Sequence, residues 1–233
     1  MPPAAGNRMF PSYKLMLDRS NEFLLAARKR KHQKKGSNYL ISIDESDLHK
    51  ASGNYFGKCK ANFLGTQFVL YDKGTKPAEL GGGTSVLNPR KELAGILYDY
   101  NVLGTKGPRK MHVIVPGCNA DGSIAAEEQE GVLGRWNKGS GSLPPGGSYM
   151  SNKEPKWNEE LGAYCLNFSG RVTRPSVKNF QLGIVGHPDE DQVSLQFGKT
   201  GEHTFTMDFA HPLTPLQAFG IVLSSFDNKF ACE

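Results

Sequence analysis

No apolar run in the sequence approaches the ~20 residues that a membrane-spanning helix requires. Its first residues, MPPAAGNRMFPSY, lack the basic start and apolar stretch of a secretory leader. These absences read as a soluble chain whose membrane contact is peripheral. Cysteine is scarce: Cys59, Cys118, Cys165 and Cys232 stand far apart with no CxxC spacing. That excludes a zinc knuckle and implies no disulfide framework, so buried free thiols are expected. Catalytic patterns are missing too. His112, His187, His203 and His211 show neither HxxxH nor HExxH spacing, and Asp189, Glu190 and Asp191 cluster in a solvated turn. No GxSxG occurs, and the glycine cluster ELGGGTS (79–85) lacks the lysine of a phosphate loop. The reading is a binding module rather than an enzyme, with no cofactor and no metal.

What the chain does have is turn chemistry. The 233 residues include 27 Gly and 14 Pro, which favours many short strands over long helices. Period-two runs appear at 13–17, 22–31, 38–43, 53–63, 66–72, 110–117, 162–172, 178–186, 192–199 and 203–209. The link DRSN between the first two reads as a hairpin turn. A helix is expected at 88–100, where Leu93, Ile96, Leu97 and Tyr100 fall at helical spacing. Residues 118–155, rich in Gly, Ser and Pro, read as an extended surface loop within one domain spanning 1–233. Trp136 and Trp157 stand in polar contexts and are expected to pack on a rim. No internal repeat is visible.

The C-terminus differs. Thr214 reads as an N-cap and Pro215 as the first helical residue. Leu216, Ala218, Phe219, Ile221, Val222, Leu223 and Phe226 then point in nearly every direction around the helix. A helix that short and apolar on all sides must be surrounded by protein. In a β-rich chain this implies a sheet closed around it.

Charge is modestly basic, +5, but unevenly spread: Arg28, Lys29, Arg30, Lys31, Lys34 and Lys35 crowd one short stretch. On a strand, Arg28 and Arg30 share one face and Lys29 and Lys31 the other. Leu24 and Ala26 fall on the Arg28 and Arg30 side by simple alternation. The partner of such a run is an anion: a headgroup, an import receptor or DNA. A DNA groove would need further cations, for which Arg109, Lys110, Arg135, Lys138, Arg171, Arg174 and Lys178 are candidates.

The segments NYLISIDESDL, NVLGTKGPRKM, LNFSGRVTRPSVKNFQL and QAFGIVLSSFDNKFACE resemble, in order, the C-terminal domain of tubby and the tubby-like proteins. The resemblance covers essentially the whole chain and is weakest over 118–155. It implies a closed, 12-stranded antiparallel β-barrel around a hydrophobic C-terminal helix. It also implies binding of phosphoinositides, with preference for phosphatidylinositol 4,5-bisphosphate, and reversible docking at the inner leaflet of the plasma membrane. Transcriptional regulation and delivery of receptor cargo to cilia go with the family, so nucleus and cilium join the expected locations; a monomer is expected. The headgroup residues carried over are Arg28 and Arg30 from the basic strand and Lys60 from GKCK. Lys29, Lys31 and Lys58 are expected to assist by their field. Lysine at position 60 contacts phosphate as a point charge, without arginine's two-pronged geometry.

Overall fold

In the computed structural model, residues 10–30, 36–75, 88–99, 110–119, 123–124, 131–138, 141–159 and 162–227 are described. The elements run β1 (Ser12–Leu17), β2 (Glu22–Arg30), β3 (Asn38–Ser42), β4 (Tyr55–Ala61), β5 (Gln67–Asp72), β6 (Glu92–Tyr98) and β7 (Met111–Val115). They continue with α1 (Val132–Lys138), β8 (Ser148–Asn152), β9 (Lys156–Asn158), β10 (Ala163–Cys165), β11 (Phe180–Ile184), β12 (Leu195–Lys199), β13 (Phe205–Phe209) and α2 (Pro215–Ser225). Eleven strands form one antiparallel sheet in the order β1-β2-β3-β4-β5-β6-β7-β8-β11-β12-β13, while β9 and β10 make a separate two-stranded ribbon. The protein is mainly β. Every neighbouring pair in the large sheet is antiparallel, and most are consecutive in sequence.

The C-terminal helix sits where its composition demands. Thr214 caps it and shares a capping box with Gln217, Pro215 opens it, and Gln217 through Ser224 are all buried. Inward-facing residues of the sheet, among them Tyr39, Ile41, Phe68, Leu70, Ile96 and Leu182, form one core with Ala218, Phe219, Ile221, Val222 and Leu223. Each fully buried Leu, Ile or Phe contributes about 1.5–3 kcal/mol of transfer free energy, before entropy is set against it. Helix and strand approach closely: a Cβ on Gly220 would lie 2.7 Å from Leu70 Cδ1. Polar ties fix its register. Gln217 Nε2 donates to the Leu93 carbonyl at 2.8 Å, and the Tyr98 hydroxyl meets Ser224 Oγ at 2.7 Å.

In this strand order β1 and β13 are the outermost members, and among the described residues no backbone ladder joins them. Side chains bring them together instead. The Phe226 ring, just past α2, lies 4.7 Å from Tyr13 on β1 and 5.2 Å from Phe205 on β13. Arg171 donates to both carboxylate oxygens of Asp208 on β13 and, at 2.8 Å, to Asp18 in the β1–β2 turn.

Three expectations are corrected. Residues 92–98 are a strand, not a helix: β6 is covered inside by α2 and outside by α1, whose Leu133 would strike any side chain at Gly95. Burial on both faces erases the alternation that marks a half-exposed strand, and the residual spacing mimics a helix. Within 118–155, an expected surface loop, lie α1 and β8, and β8 pairs with both β7 and β11 inside the sheet. Of the three described cysteines only Cys59 is buried; Cys118 is exposed and Cys165 is intermediate. Trp136 packs on Tyr149, with ring centroids 4.9 Å apart, whereas Trp157 remains 56% exposed.

Candidate functional site

The basic strand is built as an edge-to-edge array by its register. Arg28 pairs with Leu40 and Arg30 with Asn38; Asn38 in turn pairs with Lys60, and Leu40 with Lys58. Directly opposed residues of antiparallel strands share a face, so two cross-strand rows stand side by side: Arg28–Leu40–Lys58 and Arg30–Asn38–Lys60. Arg28, Arg30 and Lys60 are exposed. With strands about 4.8 Å apart, the backbones carrying Arg30 and Lys60 are separated by roughly 10 Å. Two long cationic side chains spanning that gap can converge on one compact polyanion above Asn38.

The rows are not equivalent. Leu40 lies beneath a small outer cluster with Ala26, Leu48 and Tyr55, and the Lys58 ammonium leans over the Tyr71 ring at 5.4 Å. Burial, then the nearby Glu92 carboxylate, pushes the Tyr71 hydroxyl up to about 12, so the ring stays neutral under its cations. In the Arg30 row the middle residue, Asn38, is half-buried, and no apolar cluster of the described residues includes it. Asn38 was not singled out from sequence. It is a polar residue opening a strand, and only the register puts it between the two cations.

Lys29 faces the other way. With its row partners Tyr39 and Cys59 it points into the core, and its ammonium reaches the buried carboxylate of Asp227 at 3.0 Å, passing over the Tyr39 ring at 5.7 Å. The field of Asp227 is felt there. Burial first, and that carboxylate second, raise the Tyr13 and Tyr39 hydroxyls and the Cys59 thiol well above their ordinary values. Lys29 is therefore a structural cation at the end of α2. Lys31, with Lys34 and Lys35, lies outside the described residues.

Leu24 does not keep the face that simple alternation gives it. A bulge between Leu15 and Met16 in the β1–β2 ladder opposes Met16 to Phe23 and Leu15 to Leu25, leaving Leu24 out of register. Ala26, beyond the bulge, keeps the face shared with Arg28 and Arg30.

Among the cations considered for a nucleic-acid groove, Arg171 is occupied by Asp208, Asp18 and Thr206, which raises its guanidinium further above its ordinary range. Arg109 lies outside the described residues. Among the described residues no group of three or more His, Cys, Asp or Glu is placed to hold a metal ion. His112 is tied between Tyr149 at 2.7 Å and Asp99 at 3.1 Å. No helix among the described residues is long and apolar enough to cross a membrane.

The model of the Tub family matches residues 3–228. The chain belongs to the Tub family. It is 49% identical over 231 residues to Tubby-related protein 1 of Mus musculus, covering 97% of this chain and 41% of that protein. It is 46% identical to Tubby-related protein 3 of the same species over 97% of this chain and 49% of that protein. Protein king tubby 1 of Aedes aegypti is likewise 46% identical, over 97% of this chain and 53% of its own length. This Tub-family chain thus spans about half, or somewhat less, of the curated relatives it matches.

Proposed function

We propose that this chain is a phosphoinositide-binding module, with phosphatidylinositol 4,5-bisphosphate as its ligand and the anionic inner leaflet of the plasma membrane as its docking surface. The observation that carries this reading is the Arg30–Asn38–Lys60 row, with Arg28 beside it: exposed cations on β2 and β4, the strands flanking β3, fixed by backbone register around one half-buried residue. Arginine grips one phosphate through paired donors, and lysine meets a second as a point charge. Each basic residue near such a leaflet contributes about 1 kcal/mol before screening. Binding is electrostatic and reversible, so hydrolysis of the headgroup removes the ligand and releases the protein. Membrane-to-nucleus signalling and delivery of receptor cargo to cilia, which tubby-like proteins suggest, would follow from that reversible attachment. No catalytic step is required of any residue.

The same reading includes a closed β-barrel around α2. Its support is the meeting of both edge strands on Phe226 and the Arg171 bridge between the β1–β2 turn and β13.

The test is vesicle co-sedimentation against individual phosphoinositides at near-physiological salt, with duplex DNA as competitor. Arg30→Ala/Lys60→Ala is expected to lose the bisphosphorylated lipid while keeping its thermal transition. Equal capture of every anionic lipid and of DNA by the parent chain would sink the headgroup site and leave a nonspecific basic patch.

A further inference from the structure

The connection between β4 and β5, residues 62–66, ends the strand that carries Lys60, and it displays two apolar side chains. Phe63 is 63% exposed and Leu64 is 40% exposed. Turn positions ordinarily carry polar residues, and a large apolar pair held in water at a tip marks a contact surface. The pair is presented by a built turn. Asn62 Oδ1 accepts from the backbone N–H of Thr66 at 3.0 Å and of Gln67 at 3.3 Å, and Asn62 Nδ2 donates to Thr66 Oγ1 at 3.0 Å. The backbone of Asn62 also donates to the Gln67 carbonyl and accepts from Gly65, whose φ of 68° closes the turn.

The tip belongs to the cationic end of the sheet. Arg30 ends β2, Asn38 opens β3, and Lys60 stands three residues before Phe63. Gly36, on the return from the basic run, is pressed against the tip: a Cβ there would lie 2.3 Å from the Asn62 carbonyl oxygen, and the Ser37 carbonyl accepts from the Ala61 N–H at 2.8 Å. The backbone that opens β3 is therefore tied to the tip that follows Lys60. Leu24 on β2 and Ile43 just past β3 are also exposed, but they lie toward the other ends of those strands from Arg30 and Asn38, and Val177 and Val185 lie in the connections flanking β11.

We infer that Phe63 and Leu64 form a wedge that enters the acyl boundary of an anionic leaflet while the neighbouring cations hold a headgroup. The occupant is a lipid bilayer because the surface pairs apolar side chains with a cationic row, the combination that an anionic interface satisfies and a soluble anion does not. The inference rests on the phosphoinositide reading above and adds a second, hydrophobic contact to it. Headgroup recognition and depth of penetration become separable: a free inositol phosphate engages only the row, whereas a vesicle engages both.

The experiment uses the full chain and two probes, soluble inositol 1,4,5-trisphosphate and phosphatidylcholine vesicles doped with phosphatidylinositol 4,5-bisphosphate. Phe63→Ser/Leu64→Ser keeps Asn62 and Gly65 and so keeps the turn. It is expected to bind the soluble headgroup like the parent yet bind vesicles about ten-fold or more weakly, since two apolar side chains no longer leave water. Phe63→Leu/Leu64→Met should retain vesicle binding. In Phe63→Trp, emission quenching by bromine-labelled acyl chains should exceed that of the parent. Unchanged vesicle affinity of the serine variant, or no excess quenching, overturns the wedge while leaving the headgroup site standing. A parent chain that binds neither probe overturns both.

Discussion

The Lys29 ammonium lies 3.0 Å from a carboxylate oxygen of Asp227, joining the end of β2 to the second residue past the central helix. The Asp227 side chain is fully buried and that of Lys29 is 22% exposed. Charge in the RKRK run thus has two uses on alternating residues: Arg28 and Arg30 outward, Lys29 inward.

Removing one partner of a buried ion pair leaves the other desolvated and uncompensated. Lys29→Met should destabilise the fold by about 3 kcal/mol, the lower end for such pairs because Lys29 keeps some water contact. Urea unfolding measures it. The folded fraction should still bind the headgroup, because the lost cation does not face it; loss of binding with unchanged stability would return Lys29 to the site.

Within the outward rows, Arg30→Ala should weaken phosphoinositide binding more than Lys58→Ala. Lys58 is already engaged over Tyr71 and sits beside the covered Leu40. Arg30→Ala and Lys60→Ala, combined, should be less than additive if both grip one ligand, by an interaction energy of about 0.5–3 kcal/mol. Strict additivity in titration calorimetry would mean that the two cations act independently.

Cys59 provides a pH test. Its thiol is fully buried, and burial, with the Asp227 carboxylate, raises it above the ordinary value of 9.0. Below pH 9 the folded and unfolded thiols are both neutral, and the group has no effect on stability. Above it the unfolded thiol ionises while the folded one does not, so stability falls by about 1.4 kcal/mol per pH unit until the raised value is reached. Tyr13 and Tyr39, also raised, join from pH 10. Chemical denaturation across pH 8–10 should therefore show a shallower decline for Cys59→Ala, whatever its constant cavity penalty. Parallel curves would refute the assignment.

Gly220 faces Leu70, whose Cδ1, Cδ2 and Cγ would all lie within 3.2 Å of an added Cβ. Leu70 is fully buried, so its side chain can move aside only by displacing core neighbours. Gly220→Ala should lower stability by about 1–2 kcal/mol, because overpacking exceeds the gain in helix propensity. A stabilised variant in thermal unfolding would show that α2 and β5 part more readily than this contact implies.

Arg171 ties Asp208 to Asp18 with a side chain 40% exposed. Solvent screening limits its contribution to about 1 kcal/mol. Arg171→Ala should accordingly change global stability little but raise amide exchange selectively along β1 and β13. Uniform exchange across the sheet would show that the edges are held by Phe226 alone.

Two parts of the molecule were legible in its residues because their causes are local. Thr214, Pro215 and an apolar circumference specify a capped, buried helix, and Arg28 and Arg30 share a face simply because side chains alternate along a strand. Strands β2 to β5 and β11 to β13 were readable where one face is polar. Where both faces are covered the signal vanished: β6, buried between α1 and α2, read as a helix. The Gly- and Ser-rich composition around β8 hid a strand whose partners, β7 and β11, bracket it only in the folded sheet. The site divides in the same way. Sequence determined that cations crowd positions 28–31 and that Lys60 lies in a separate strand. Only the register of β2, β3 and β4 decided that Arg30, Asn38 and Lys60 form one row and that Lys29 turns inward to Asp227. Alternation fixes which side of its own strand a residue takes; hydrogen-bonded pairing between distant strands decides which neighbours it meets there.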